Sequence, residues 1–213
     1  MNSRYPVYQY PVNLVLDGRP CLVVGGGMVA ARKVEGLRAA GARVRVVASH
    51  VGDEIRACPD VAWEERPYRR GDVDGQRLVI AATDSFEVNG AIFRDCERAG
   101  IWVCGADDPE HCSFTLPAVV RRGALLVTVS TGGGSPALAR WLRERLEGEI
   151  GPEYGVLLDL LASHRQLVRT GGGGTADLDW QKALDSDMLG LIRTGHVASA
   201  RERLETCLSS SSD

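Results

Sequence analysis

Lysine occurs only at Lys33 and Lys182 in 213 residues, so positive charge rests on arginine, and the formal net charge is −3. That balance projects no basic field suited to nucleic acid, and any anion the protein binds must be captured by local donors. The six cysteines, Cys21, Cys58, Cys96, Cys104, Cys112 and Cys207, include no C-x-x-C pair and no zinc spacing. No permanent metal site is therefore expected, and the cysteines in strand-like settings read as small hydrophobes. No apolar run approaches the length of a membrane span, and residues 1–10 are polar and aromatic where a signal peptide would be basic and then apolar. The expected setting is a reducing cytoplasm, with neither a membrane nor nucleic acid as partner.

Glycine, by contrast, is plentiful where a phosphate-binding turn needs it. Residues 19–48 read as strand, turn, helix and strand. The apolar run Cys21-Leu22-Val23-Val24 enters Gly25, Gly26 and Gly27, and Gly25-x-Gly27-x-x-Ala30 satisfies the dinucleotide fingerprint. In that fingerprint one glycine makes the tight turn, one lets the backbone approach a pyrophosphate, and a small last residue lets the helix pack on the strand. Ala30, Val34, Leu37 and Ala40 form one apolar stripe, Gly41 stops the helix, and a strand over 44–48 closes a βαβ unit. Any strand-to-helix turn can use glycine, so a purely structural turn is the competing interpretation. After the second strand an NAD enzyme usually carries an acid for the ribose hydroxyls. Here Ser49 and His50 stand in that place, with Asp53 and Glu54 slightly late. Both can hydrogen-bond a ribose, and neither chooses between NAD and NADP. The run Leu78-Val79-Ile80-Ala81-Ala82 reads as a parallel strand covered on both faces, and its carboxyl end, Ala82 with Thr83, lines the cofactor crevice.

A helix over 87–99 and a strand over 101–104 follow, and the mouth of that strand carries Asp107, Asp108 and Pro109. The pattern then changes. Strand-like segments over 115–120 and 124–130, joined through Arg121-Arg122-Gly123, read as a hairpin with a basic tip. The second segment runs into Thr131-Gly132-Gly133-Gly134-Ser135-Pro136 and a long helix, with Ser135 as N-cap and Pro136 as first helical residue. Leu138, Trp141, Leu142, Leu146 and Ile150 make its apolar stripe. A hairpin and helix too small to bury their own surface suggest a dimerisation element. Helices over 154–168, 179–193 and 197–208 complete the chain, with the glycines at 171–174 as a linker or loop tip. The expected fold is α/β: a Rossmann-like parallel sheet in an NAD-binding domain over 1–114, a hairpin-helix dimerisation module over 115–150, a helical C-terminal domain over 151–208, and a disordered tail over 209–213.

Four stretches, taken together, carry a family resemblance. They are Tyr10-Pro11-Val12-Asn13-Leu14 leading into the glycine turn and Arg32-Lys33, then Ile80-Ala81-Ala82-Thr83-Asp84, then Asp107-Asp108-Pro109 through Phe114, and Ser130 through Arg143. In order and spacing they resemble the precorrin-2 dehydrogenase/sirohydrochlorin ferrochelatase family, the NAD-dependent module of siroheme synthase, over most of residues 10–148. The resemblance implies oxidation of precorrin-2 to sirohydrochlorin with NAD as hydride acceptor, and in some members insertion of ferrous iron to give siroheme. The hairpin-helix module, for its part, makes a homodimer the expected assembly. Asp107 matches the family's catalytic residue, and Met28, Val29, Ser49 and His50 match its NAD contacts. Thr131 stands where some relatives carry a phosphorylated serine. The methyltransferase domain of siroheme synthase is expected to be absent.

The residues suit that chemistry. Precorrin-2 is rich in carboxylates, and Thr131, Gly132, Gly133 and Gly134 before a helix start offer backbone donors to them. Arg121 and Arg140 lie near in sequence, as do Arg122 and Arg143, and the arginine fork matches a carboxylate, although some of these arginines read equally as a solvated helix face. Desaturation needs a base for a proton, which Asp107 supplies if the bound tetrapyrrole desolvates it. Asp108-Pro109 reads as a turn-initiating pair, and His111 and Cys112 as structural residues. Fe2+ or Co2+ would be substrates of a chelatase step, not resident metals. A second possibility is a non-catalytic, dinucleotide-sensing regulatory domain, which would have no use for the basic glycine loop or for Asp107. A short-chain dehydrogenase fits less well, since no Tyr-x-x-x-Lys follows from Tyr154.

Overall fold

Short valine- and leucine-rich runs separated by glycine turns become the strands of one sheet in the computed structural model, which describes residues 8–106, 108–175 and 178–209. In chain order these are β1 (Pro20–Val24), α1 (Met28–Arg38), β2 (Arg43–Ala48), a single-turn α2 (Asp53–Arg56), β3 (Ala62–Glu65), β4 (Leu78–Ala81), α3 (Phe86–Ala99), β5 (Trp102–Gly105) and β6 (Asp108–Cys112). They order as β3-β2-β1-β4-β5-β6, with β3 to β5 mutually parallel and β6 antiparallel to β5. Strand order turns back at β1, so the crevice beyond the carboxyl ends of β1 and β4 is the place where a Rossmann sheet receives a ligand.

The near-continuous apolar runs have a direct cause, for the central strands are covered on both faces. Cys21, Val23 and Ile80 pack with Ala30, Val34 and Leu37 of α1, while Leu22, Val24, Val79 and Ala81 pack with Ile92 and Cys96 of α3. The α1 stripe is thus buried as its spacing predicts, except that Ala40 lies past the helix and is only partly covered. Residues 8–15, where the first family motif falls, run along the surface outside helix and strand.

The sheet and its helices fall within one compact unit, Tyr8–Leu116, and the residues from Pro117 onward form another. The second holds β7 (Ala118–Arg122), β8 (Leu125–Val129), α4 (Pro136–Glu149), α5 (Glu153–Thr170), α6 (Trp180–Leu184), α7 (Met188–Arg193) and α8 (Val197–Ser209). Leu157, Leu160, Met188, Ile192 and Leu204 centre its core. On α4 the apolar stripe remains largely uncovered, with Leu138 48% and Trp141 52% exposed.

Four expectations about elements change. The hairpin turns at Gly123, whose φ of 59° suits the left-handed region, so Arg121 and Arg122 lie within β7 and not at the tip. The helix expected over 179–193 is two, because Ser186 and its flanking aspartates break it: the Ser186 hydroxyl donates to the Ala183 carbonyl at 2.6 Å. Residues 108–112, expected as a loop at the strand mouth, form the edge strand β6. Ser209 belongs to α8, and the rest of the expected tail lies outside the described residues. Among the described residues no helix is long and apolar enough to cross a membrane.

One polar cluster braces the sheet edge. Asp72 is buried and accepts from both terminal nitrogens of Arg66 (2.8 and 2.6 Å), from the Arg69 N–H (2.8 Å) and from Arg45 (3.3 Å). Arg66 above all, against the cost of burial, holds the Asp72 carboxyl down at about 2. A carboxyl whose folded value is depressed contributes stability above its unfolded value and loses it as pH falls through the folded one. Denaturation between pH 4 and 2 should therefore cost Asp72→Asn less than the parent, by about 1 kcal/mol once solvent screening of the arginines is allowed for. Parallel pH curves for the two proteins would contradict this.

Candidate functional site

The parallel register sets Val24 opposite both Val47 and Ala81, so the residues that follow these strands meet at one end of the sheet. The Gly25 N–H donates to the Val47 carbonyl (2.9 Å) and the Ala82 N–H to the Val24 carbonyl (2.7 Å). Gly25 has φ +128°, and a Cβ there would stand 2.1 Å from the Ala82 carbonyl oxygen. A Cβ on Gly26 would stand 1.8 Å from the His50 carbonyl oxygen, and the Gly26 carbonyl accepts from the Gly52 N–H at 2.9 Å. Gly27 differs from both, since a Cβ there would meet nothing within 4 Å. Two glycines thus close the turn against neighbouring strand tips, and the third leaves its outer side open.

Gly27 is also the N-cap of α1, and no side chain caps that helix or places an acid in its first turn. Leading N–H groups and the positive end of the helix dipole therefore face the open side, the arrangement that receives a phosphate. Met28 and Val29 stand beside them 57% and 41% exposed. The expected residues Gly25, Gly26, Gly27, Met28, Val29, Ser49, His50, Ala82 and Thr83 all gather at this end of the sheet.

Two residues that sequence reasoning missed support the crevice. Asn89, buried in α3, accepts from the Thr83 hydroxyl at 2.7 Å and donates to the Thr83 carbonyl at 3.0 Å. The Thr83 side chain and backbone are thus both held by Asn89, which fixes the loop that borders the crevice. A polar residue on the buried stripe between Val88 and Ile92 was the available signal. The acid near the end of β2 is Glu65, from the neighbouring strand β3: its carboxylate lies 4.0 Å from His50 Nδ1 and accepts from Arg56 and from the Val51 N–H. Asp53 and Glu54 instead open α2.

At the tip of β5 the Ala106 N–H donates to the Ala81 carbonyl (2.7 Å), and Gly105 pairs with Asp108. Asp107 lies outside the described residues. Asp108 does more than start a turn, for its carboxylate lies 2.6 Å from His111 Nδ1, both side chains largely buried. The His111 ring sits 4.9 Å from Phe86 and 5.3 Å from Phe93.

The residues expected at the substrate, Thr131, Gly132, Gly133, Gly134, Arg121 and Arg140, belong to the second unit. There Ser135 caps α4, accepting from the Leu138 N–H at 3.2 Å, and the Thr131 hydroxyl accepts from the Ser135 N–H at 3.1 Å. With no N–H on Pro136 and that of Leu138 already bonded, the helix start offers fewer donors than its spacing suggests. Arg122 donates to the Ile150 and Glu147 carbonyls and Arg143 pairs with Glu147, whereas Arg121 and Arg140 are exposed.

A family model described as "Putative NAD(P)-binding" matches residues 12–118, half of the chain, and one described as "Sirohaem biosynthesis protein central" matches residues 122–149. The chain belongs to this NAD(P)-binding family. Siroheme synthase of Thioalkalivibrio sulfidiphilus is 39% identical over 209 residues, 96% of this chain and 43% of its own length. Siroheme synthase of Nitrosococcus oceani is 37% identical over 203 residues, 93% of this chain and 43% of its own length. The chain thus spans less than half of these relatives. Among solved structures, SirC, a precorrin-2 dehydrogenase, superposes with a TM-score of 0.67 at 25% identity, covering 94% of this chain and 99% of that one. The motif resemblance and the comparisons point to the same proteins, and the cofactor class is a nicotinamide dinucleotide. The open, uncapped turn at Gly27 fits that class, since it leaves room and donors for a pyrophosphate.

Proposed function

We propose that this protein is an NAD-dependent precorrin-2 dehydrogenase, forming sirohydrochlorin in siroheme biosynthesis. The observation that carries this reading is the likeness to SirC along nearly the whole of both chains. Bound, the dinucleotide supplies the carbon that accepts the hydride. Gly25 and Gly26 shape its turn, Gly27 with the first turn of α1 holds the pyrophosphate, Met28 and Val29 flank it, and Ser49 and His50 take the ribose. Glu65 beside His50 supplies the carboxylate that can accept from a ribose hydroxyl, the role an acid plays in NAD enzymes. Asp107 accepts the proton released as the macrocycle is desaturated. Thr131, the glycines that follow, Arg121 and Arg140 hold the substrate carboxylates.

The exposed Leu138 and Trp141 on α4 support a homodimer. A cytoplasmic setting agrees with the cysteines read from the sequence as small hydrophobes. The likeness to proteins named siroheme synthase supports metal insertion as a second step, with Fe2+ or Co2+ as substrate.

The test is to supply precorrin-2 with either dinucleotide and follow reduced nicotinamide. NADH should form in step with precorrin-2, with kcat/KM for NAD at least about tenfold above that for NADP. Tight dinucleotide binding with no reduction of either cofactor would favour the sensor. Metal-dependent loss of sirohydrochlorin without dinucleotide reads out the second step.

A further inference from the structure

Cys104 and Cys112 face each other as partners across the β5–β6 pair, with their sulfur atoms 3.7 Å apart. Partners in an antiparallel pair lie about 4.5–5.5 Å apart at Cα, within the roughly 4.4–6.8 Å that a disulfide spans. Closure therefore needs side-chain rotation more than backbone movement. Cys104 is buried while Cys112 is part-exposed, so the latter is the sulfur that a small oxidant reaches first. The Cys112 thiol also lies 3.4 Å from the Gly105 carbonyl oxygen and 3.2 Å from that of Asp108, both in the same hairpin.

The thiols are not chemically equal. Burial pushes Cys21 up to about 11 and Cys96 up to about 12. Cys112 is pulled down to about 7, chiefly by the Cys104 thiol and against its own burial. A lowered thiol carries more thiolate at neutral pH, and the thiolate is the form that attacks a peroxide.

We propose that Cys104 and Cys112 form a reversible oxidation site for small hydroperoxides, whose disulfide clamps β5 to β6 at the two ends of segment 105–111. That segment contains the Asp107-Asp108-Pro109 motif, so any effect on turnover rests on the dehydrogenase reading; the thiol chemistry does not. In the first step the Cys112 thiolate attacks a peroxide oxygen, the O–O bond breaks, and Cys112 becomes a sulfenic acid as water or an alcohol leaves. The Cys104 thiol then attacks that sulfur, the S–S bond forms, the S–O bond breaks, and one water leaves, carrying the sulfenic oxygen and the Cys104 proton. Two thiols are oxidised by two electrons and one hydroperoxide is reduced.

The reduced full chain, treated with hydrogen peroxide and alkylated, reports on the site by mass. Peptide 99–121, bounded by the arginine before residue 99 and by Arg121, should lose two hydrogens before any other cysteine reacts, and dithiothreitol should restore them. In Cys104→Ser the sulfenic acid of Cys112 should persist and be trapped by dimedone. Over-oxidation of Cys112 with Cys104 still a thiol, or prior reaction elsewhere, would overturn the site. NADH formation should fall at least about fivefold on oxidation and recover on reduction, while Cys112→Ser should not respond. A disulfide with unchanged turnover would overturn the clamp. Should the parent form no NADH at all, the dehydrogenase reading fails and the mass readout still decides the thiol pair.

Discussion

Gly25→Ala and Gly26→Ala should cost most of the stability of the sheet unit, while Gly27→Ala should leave it standing and lose the dinucleotide. At Gly26 the added methyl would sit 1.8 Å from a backbone oxygen, that of His50, so a strand tip and not a flexible side chain would have to move. Overpacking of that kind costs about 1–3 kcal/mol, and more when backbone is the obstacle. Gly25 adds a φ of +128° to a 2.1 Å approach to the Ala82 oxygen, and that backbone region costs a residue with a side chain about 1–3 kcal/mol by itself. The sum for Gly25→Ala is about 2–6 kcal/mol, or roughly 10–25 °C in Tm for a unit of this size. Gly27 has neither problem, and its loss as an N-cap should cost less than about 1 kcal/mol. A methyl there stands in the path of the pyrophosphate, and weakening of Kd by about a hundredfold, near 3 kcal/mol, is expected. Thermal unfolding and dinucleotide titration on the three variants decide it. Equal stability of all three would mean that the turn is looser than described, and unchanged binding by Gly27→Ala would place the pyrophosphate elsewhere.

The same glycines show how far the sequence could be read. Their spacing announced a phosphate turn, and the two-sided burial of β1 and β4 was legible in uninterrupted Val, Leu and Ile. Which glycine does what was not legible, because it depends on the carbonyls of His50 and Ala82, brought there by parallel register. Glu65 was invisible for the same reason: it reaches His50 from the next strand over, a relation that no spacing encodes. Edge strand β6 escaped notice because Asp108-Pro109-Glu110-His111 has no apolar alternation, and an edge strand with one exposed side needs none. Asn89 broke the α3 stripe and so looked like noise, although its amide holds the Thr83 loop. In the second unit, caps were readable from Ser135 and Pro136, whereas the commitment of Arg122 to the Ile150 and Glu147 carbonyls depends on how α4 returns past β7.

Asp107→Ala should reduce kcat for NADH formation by about a hundredfold to ten-thousandfold, the usual contribution of a positioned base, and leave dinucleotide Kd within about twofold. Its sequence neighbours give the reason to separate chemistry from folding. Ala106 is tied to β4 by its N–H and Asp108 to His111 by its carboxylate, so the described residues on either side of position 107 are each anchored. Asp108→Ala is the control. It leaves the His111 ring, enclosed by Phe86 and Phe93, without its carboxylate, and losing the partner of a buried polar group costs about 1–3 kcal/mol. The two variants should therefore divide: Asp107→Ala slow and as stable as the parent, Asp108→Ala less stable and, where folded, closer to the parent in rate. Asp107→Asn, which keeps size and hydrogen bonding but cannot accept the proton, should be as slow as the alanine variant. If it instead retains the parental rate, the carboxylate is not the base, and water or a group of the substrate must take the proton in the same crevice. If Asp107→Ala releases the dinucleotide as well as slowing turnover, the residue holds the site together and its assignment to proton transfer falls.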